Sequence, residues 1–347
     1  MSTPARPADA SLTVAELGER RLVERIRSRF PAPPNVLAVG IGDDAAVAPA
    51  VRGALQVLTS DALVEGVHFD LAYSSFHDVG YKALAVNLSD VAAMGGIPRL
   101  ALLSLILPAT MSAGSVDALL DGFADMSSSA KMTLAGGNIT RSPGPLIVDV
   151  SVVGSAKPRR VLTRAGGRPG DALYVSGALG AAAAGLDWLR AQPRGAAMEP
   201  DDAGLRECVA RHRCPTPRVR LGAVAGQTRA ASACMDLSDG LADAVRQIAE
   251  QSGTGAIVDA AAVPVHPAGA RWFTSRGRDP ITAAIAGGDD YELLFSVAAR
   301  ARGRWRNVVR HAQGIPLTKI GELTRDRQVL LSREGSVEPL PQGFVHF

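Results

Sequence analysis

The sequence predicts an α/β protein built from two domains. Short apolar segments bounded by Gly or Pro alternate with longer segments of helical character. The length of 347 residues, with 47% hydrophobic content, favours two medium cores. A stretch rich in Gly, Pro and Arg, residues 157–171, has the composition of a domain junction. We therefore predict a disordered N-terminus over 1–12, one domain over 13–156 and a second domain over 157–347.

The elements of the first half follow from their boundaries. Thr13 and Glu16 form a capping-box pattern that predicts a helix, which Pro31 would end. Apolar or alternating runs predict the strands 36–41, 55–60, 100–107 and 146–154, and the segments between them predict the helices 79–94 and 116–130.

The second half continues the alternation without a sequence repeat of the first. Its predicted strands are 172–176, 231–235, 281–286 and 291–297, and its predicted helices are 179–190, the segments between about 202 and 225, and 241–250. An alternating order of this kind is typical of α/β proteins.

Composition excludes several classes of protein. The 37 Lys and Arg against 34 Asp and Glu leave +3, scattered without aromatic interleaving, which argues against a nucleic-acid partner. The three cysteines lack CxxC spacing and indicate reduced thiols. The N-terminus has no apolar core of the signal-peptide type, and the longest apolar run, Leu100–Leu107, is too short to span a membrane. We expect a cytoplasmic protein with no membrane partner.

Acidic groups recur in short glycine-punctuated motifs. These motifs are residues 40–46 (GIGDDAA), 58–69, 87–96, 235–241 (MDLSDGL) and 286–295. So many carboxylates beside expected tight turns favour ligands for hard divalent cations. We expect such cations to carry a polyphosphate.

Amide-based phosphate loops are absent from the sequence. No GxxxxGK[ST] pattern occurs, which excludes a P-loop kinase. Gly40–Ala45 fits the loose GxGxxA dinucleotide pattern, but Asp43 and Asp44 would repel a pyrophosphate, and Pro49 leaves no room for the required helix. Phosphate must then be held through bridging metal.

Individual candidates also have ordinary structural explanations. Asp239 precedes a predicted helix and could be only its N-cap. Asp90 and Asn87 lie on one face of an apolar predicted helix, where a buried carboxylate needs a cation. His68 has no nucleophile pattern beside it and is a candidate substrate contact, whereas Phe344 is either a packing residue or a stacking face.

The chain resembles the thiamine-monophosphate kinase family of the aminoimidazole ribonucleotide synthetase superfamily. The resemblance runs from about Leu17 to the C-terminus, with the motifs in the same order. They are GIGDD (40–44), TSD (59–61), VEGVHF (64–69), YKALAVNLSDVAAMGG (81–96), the GG pair 136–137, LTRAGGRPGD (162–171), MDLSDGL (235–241) and GGDDYELLF (287–295). It implies a two-domain synthetase-like α/β (α+β) fold, an N-terminal sheet that pairs across a homodimer, and a nucleotide in the groove between the domains.

The resemblance also implies roles for individual residues. Magnesium would be bound by Asp44, Thr59, Ser60, Asp61, Asp90, Asn138, Asp236 and Asp239. ATP would be contacted by Gly137, Asn138, Arg164 and Ser238, and thiamine monophosphate by His68, Asp289 and Phe344.

Three of these positions depart from the family pattern. Asn138 stands where the family usually has a magnesium-binding Asp, so the site loses one negative charge. Asp289 replaces Glu, which shortens the reach to a substrate amine by one methylene. Ser60 replaces Thr and keeps the hydroxyl.

The implied reaction passes the γ-phosphoryl of ATP to thiamine monophosphate, giving thiamine diphosphate and ADP, the last step of thiamine diphosphate biosynthesis. Several Mg²⁺ ions would assist it, and no catalytic base is expected. Two alternatives are another ATP-using enzyme of the superfamily and a non-catalytic nucleotide sensor. The sensor is considered because Asn138 replaces a magnesium-binding Asp. The selenophosphate type would need an N-terminal Cys, but the first is Cys208, and the hydrogenase-maturation type would end in Cys, whereas this chain ends in Phe347.

Overall fold

The computed structural model describes residues 9–33, 35–193 and 199–343. The helices are α1 Val14–Leu17, α2 Glu19–Arg29, α3 Phe76–Ala93, α4 Ala113–Ala130, α5 Ala181–Arg190, α6 Ala203–Arg213, α7 Val219–Thr228, α8 Leu241–Ser252, α9 Pro267–Ser275, α10 Pro280–Ala286 and α11 Arg302–His311. The strands are β1 Leu55–Val64, β2 Ile97–Pro108, β3 Thr133–Ser142, β4 Ile147–Ala156, β5 Ala172–Ser176, β6 Ala233–Asp236, β7 Gly255–Asp259, β8 Leu293–Val297, β9 Leu317–Thr324, β10 Val329–Arg333 and β11 Ser336–Pro339.

The chain forms two compact units, residues 1–87 with 98–155 and residues 88–97 with 156–347. In the first unit the strand order is β1-β4-β2-β3, with β2 and β3 parallel. Helices α3 and α4 touch backbone to backbone. A Cβ on Gly80 would lie 1.8 Å from Leu119 O, and one on Gly122 would lie 1.9 Å from His77 O. Only glycine permits this close crossing, which brings the buried faces of both helices together.

The second unit contains a mixed sheet with the strand order β11-β10-β7-β9-β5-β8-β6. The last turns of α3 belong to this unit because Ala92 and Ala93 pack in one hydrophobic cluster with Leu162 and Leu221. A Cβ on Gly222 of α7 would lie 1.9 Å from Ala92 O, so α7 and α3 also meet without an intervening side chain. Asp90 therefore lies in the second unit.

Most predicted elements are confirmed, and the errors have local causes. The capping box of Thr13 and Glu16 is present, but Gly18 (φ 80°) divides the predicted helix into α1 and α2. The predicted strand 36–41 is wrong, since the segment forms only two isolated bridges, Val39 with Val47 and Ile41 with Asp43. The predicted strand 281–286 is helix α10. Asp279 caps this helix and Pro280 occupies its first turn, and these start signals outweigh the apolar pattern.

Among the described residues, no helix has the length and hydrophobicity that a membrane-spanning segment needs.

Candidate active site

In the first unit, Asp44 lies in an exposed loop closed by a backbone bridge. The Val47 N–H donates to Val39 O at 2.9 Å, and the loop between them carries the acidic pair. The Asp44 N–H donates to Asp43 Oδ1 at 2.9 Å, so Asp43 is partly engaged within the loop. Asp44, which is exposed, is therefore the better placed of the two for an external cation.

The acidic pattern predicted a tight turn beside Thr59–Asp61. The segment instead lies within a strand, because β1 continues to Val64. Successive side chains of a strand alternate between faces. Thr59 and Asp61 are half-buried on one face, whereas Ser60 is exposed on the other. The Ser60 Oγ lies 2.8 Å from Ser151 Oγ on β4. The Ser60 hydroxyl therefore does not share a side of the sheet with Thr59 and Asp61.

Gly137 and Asn138 lie side by side on strand β3. A Cβ on Gly137 would lie 1.8 Å from Leu103 O of β2, so no other residue fits between these two strands. Asn138 is exposed and pairs in register with Ser104. Because Gly137 has no side chain, the β3 backbone packs closely against β2 at this position. Asn138 is the next residue along β3.

His68 follows the turn at Gly66, after the end of β1. The Val64 N–H donates to His68 Nδ1 at 3.1 Å. The neutral ring consequently carries its proton on Nε2, which makes Nε2 its donor atom. The turn itself is closed by the Gly66 N–H, which donates to Phe69 O at 2.7 Å.

In the second unit, Asp236 and Asp90 form an electrostatically coupled pair of carboxylates. Asp236 ends β6 and is 3% exposed. Burial and the nearby charge of Asp90 raise its pKa to about 7, while the hydroxyl of Ser89 and the guanidinium of Arg164 oppose that rise. Asp90 itself is half-buried on α3. A cation stabilises a buried carboxylate that lies near a second, half-buried one.

The motifs MDLSDGL and GGDDYELLF meet through their backbones. The Asp289 N–H donates to Ser238 O at 2.7 Å, and the Tyr291 N–H donates to Leu237 O at 3.1 Å. A Cβ on Gly288 would lie 2.6 Å from Ser238 O, which explains the glycine. Ser238 and Asp239, two of the expected nucleotide and metal contacts, are thus held next to Asp289, an expected substrate contact.

Asp289 occupies an unusual backbone conformation. Its φ is 68° and that of Tyr291 is 48°, a left-handed region that non-glycine residues rarely adopt and that clusters at functional sites. The Tyr291 hydroxyl donates to Asp289 Oδ1 at 3.1 Å, and His212 Nδ1 lies 3.2 Å from Asp289 Oδ2. His212 is not among the residues predicted for the site, because an isolated His in a helix carries no sequence signal. Phe344 lies outside the described residues.

Two further acidic residues of this loop anchor it. Asp290 accepts hydrogen bonds from the amides of Gly180 (2.7 Å) and Ala182 (3.3 Å), and so caps the N-terminus of α5. Glu292 is 1% exposed and forms a two-point ion pair with Arg218, whose Nε donates to Oε2 at 2.7 Å. The Ser176 hydroxyl also donates to Glu292. These anchors hold Tyr291 between them, directly after Asp289, and so stabilise the segment that contains both left-handed residues.

The donor chemistry of the described residues fits divalent metal, although these residues form no complete cage. Within residues 9–33, 35–193 and 199–343, no group of three or more His, Cys, Asp and Glu side chains is arranged to hold an ion. Asp236 and Asp90 nevertheless form the kind of carboxylate pair whose charge Mg²⁺ neutralises. Mg²⁺ typically uses one or two carboxylates together with substrate phosphates, so an incomplete protein cage is consistent with it.

Two family models match the chain, the AIR synthase related protein N-terminal domain over residues 42–156 and its C-terminal domain over residues 168–331. The chain therefore belongs to the AIR synthase related proteins and has their two-domain α/β fold. The thiamine-monophosphate kinase of Bacillus subtilis (strain 168) is 34% identical over 323 residues, covering 89% of this chain and 93% of that protein. Within the superfamily, this chain belongs to the thiamine-monophosphate kinase family.

Solved structures agree with this assignment. The thiamine-monophosphate kinase of Stenotrophomonas maltophilia K279a has a TM-score of 0.80 at 36% identity, covering 91% of this chain and 96% of that chain. The complex of AaThiL with AMPPCP and TMP has a TM-score of 0.75 at 32% identity, with 97% and 99% covered.

Proposed function

We propose that this protein is an ATP-dependent kinase that converts thiamine monophosphate into thiamine diphosphate, with ADP as the second product. Its likeness to kinases of that name over most of its length supports the assignment, as does a relative that binds AMPPCP and TMP. The structural observation that carries it is the buried carboxylate of Asp236, which accepts a 2.7 Å hydrogen bond from Ser89, the residue directly before Asp90. Because ATP is a cytoplasmic metabolite, we expect the protein to act in the cytoplasm.

Several Mg²⁺ ions belong to this proposal. They would be held by carboxylates, hydroxyls and an amide, those of Asp44, Thr59, Ser60, Asp61, Asp90, Asn138, Asp236 and Asp239. When bound, Mg²⁺ supplies charge neutralisation for the phosphates. Ser60 would take part less directly than Thr59 and Asp61, because its hydroxyl lies on the other face of β1.

The substrates would be oriented by the remaining residues. Gly137, Asn138, Arg164 and Ser238 would contact ATP, and His68, Asp289 and Phe344 would contact thiamine monophosphate. The acceptor phosphate has a second pKa near 6 and is largely ionised at neutral pH, so no protein base is needed. The chain's task is to bring anions together and to neutralise them in a loose phosphoryl-transfer transition state.

The product assay tests this function directly. Purified protein would be incubated with MgATP and either thiamine monophosphate or thiamine, and the thiamine diphosphate and ADP formed would be quantified. We expect equimolar diphosphate and ADP from the monophosphate alone. Nucleotide binding without product would instead favour a sensor, and product from another acceptor would favour a different superfamily activity.

We further propose a homodimer formed through the first unit. Leu58 of β1 is 68% exposed and Leu102 of β2 is 41% exposed, both on the sheet side opposite the buried residues of their strands. Large apolar residues that are exposed on a sheet face are typical of interaction surfaces. Sedimentation should give a dimer for the wild type and a monomer for Leu58→Arg. Val309→Arg, on the 48% exposed Val309 of α11, should remain dimeric. A dimeric Leu58→Arg variant would contradict this interface.

A further inference from the structure

Helix α8 holds the side chain of Arg164 through a chain of two hydrogen bonds. The Arg164 Nη1 donates to Gln247 Oε1, and Gln247 Nε2 donates to Asp243 Oδ2 at 2.6 Å. Gln247 and Asp243 are four residues apart, so their side chains lie on the same face of the helix. One face of α8 thus connects a carboxylate, an amide and the guanidinium in sequence.

The backbone around Arg164 is anchored as well. The Cys234 N–H, on β6, donates to Thr163 O at 2.9 Å, and the Ser252 hydroxyl, at the end of α8, donates to Arg164 O at 3.4 Å. Strand β6, which makes this hydrogen bond through Cys234, ends at Asp236 two residues further on. Arg164 is therefore held at both its backbone and its side chain, next to the coupled carboxylates.

The chemistry of Asp243 determines which way the amide of Gln247 points. A carboxylate only accepts hydrogen bonds, so the NH₂ group of Gln247 faces Asp243 and its carbonyl faces Arg164. A neutral carbonyl orients the guanidinium without adding a negative charge of its own. A glutamate at this position would form an ion pair with Arg164 and would compete with any phosphate for it.

We propose that Gln247 is a positioning residue that orients the guanidinium of Arg164 toward the phosphates of ATP. Asp243 in turn orients the side-chain amide of Gln247. This inference rests on the proposed function, in which Arg164 contacts ATP. It explains why α8 presents a neutral acceptor, and not an acid, to an arginine beside two carboxylates.

The charge-changing variant Gln247→Glu tests the proposal. We expect its KM for MgATP to rise about tenfold, which corresponds to about 1.4 kcal/mol, with little change in the KM for thiamine monophosphate. Gln251→Glu is the matched control, because Gln251 is exposed on the same helix and the substitution adds the same charge. Equal effects of the two variants on ATP would overturn the proposal.

The double variant with Arg164→Ala separates positioning from general damage. If Gln247 acts through Arg164, Gln247→Glu should add no further loss of MgATP affinity in the Arg164→Ala background. A full, additive loss there would contradict the inference. Calorimetric titration with MgATP measures this coupling without turnover. If the wild type forms no thiamine diphosphate, that result counts against the proposed function. The coupling between positions 247 and 164 in MgATP binding still decides the role of Gln247.

Discussion

The Oγ of Ser89 donates a 2.7 Å hydrogen bond to Oδ2 of Asp236, and both residues are buried. Ser89 lies on α3 directly before Asp90, so one helix supplies both a charged neighbour for Asp236 and the hydroxyl that orients it. The carboxylate is thereby fixed in direction as well as surrounded by little water. Ser89 is therefore a candidate contributor to metal binding, a role that its sequence motif alone does not predict.

Removing that hydroxyl should weaken magnesium binding. In Ser89→Ala, Asp236 loses its orienting donor, so we expect the Mg²⁺ concentration for half-maximal turnover to rise several-fold, with turnover at saturating Mg²⁺ largely retained. Steady-state rates measured across a magnesium series check this. Ser275→Ala, which removes an exposed hydroxyl bonded to Trp272 O at 2.7 Å, should follow the wild-type curve. Coincident curves for all three proteins would disprove the role of Ser89.

Restoring a carboxylate at position 138 should have the opposite effect. Asn138→Asp adds one negative charge to an exposed position of β3, and a charged oxygen binds Mg²⁺ more tightly than an amide carbonyl. We expect half-maximal turnover at a lower magnesium concentration. Asn307→Asp on α11 carries the same charge change on an exposed position of the second unit and should have no effect. A higher magnesium requirement for Asn138→Asp would contradict the expected role of this position.

The buried ion pair of Glu292 and Arg218 should be costly to break. Truncating Arg218 to Ala leaves the Glu292 carboxylate, 1% exposed, without its two-point partner, and we expect unfolding to become easier by about 3 to 5 kcal/mol. Denaturant titration measures this loss. Arg271→Ala removes a guanidinium that is 64% exposed and paired with Asp202 at 3.4 Å, so its effect should stay below about 1 kcal/mol. Similar decreases in the free energy of unfolding of the two variants would show that the buried ion pair contributes no more to stability than the exposed one.

Asp290 should make stability depend on pH. Burial is the main cause that raises its pKa to about 7 in the folded protein, from an ordinary value of 3.8, so the folded state binds this proton more tightly than the unfolded state. Its contribution is therefore fully present below about pH 4 and is lost as the pH rises towards 7, at up to about 1.4 kcal/mol per pH unit.

The variant Asp290→Asn keeps an acceptor for the amides of α5 and removes the titration. Between pH 4.5 and 7.5, the free energy of unfolding of the variant should increase relative to that of the wild type as the pH rises. Asp201→Asn, at an exposed position, should run parallel to the wild type over this range. A parallel course for Asp290→Asn would mean that Asp290 does not titrate in this window.

Local sequence signals determined most elements of the described structure and some of their boundaries. The alternation of 172–176 predicted β5 with its observed bounds, because a strand's burial pattern is visible in its own residues. The same reasoning failed at 281–286 and 36–41, where short apolar runs do not distinguish a strand from a helix or a loop. The resemblance carried by the motifs identified the family without any structural information.

Tertiary structure alone decided which residues support the candidate site. Gln247 meets Arg164 across 83 positions of sequence, and Ser89 meets Asp236 across 147. No local propensity records such pairs, because their hydrogen bonds exist only after α3, α8 and β6 have packed. The sequence by itself thus determined the chemistry available to this protein, while the packed fold decided which carboxylates lose water and which partners orient them, since both effects depend on distance in space and not on distance along the chain.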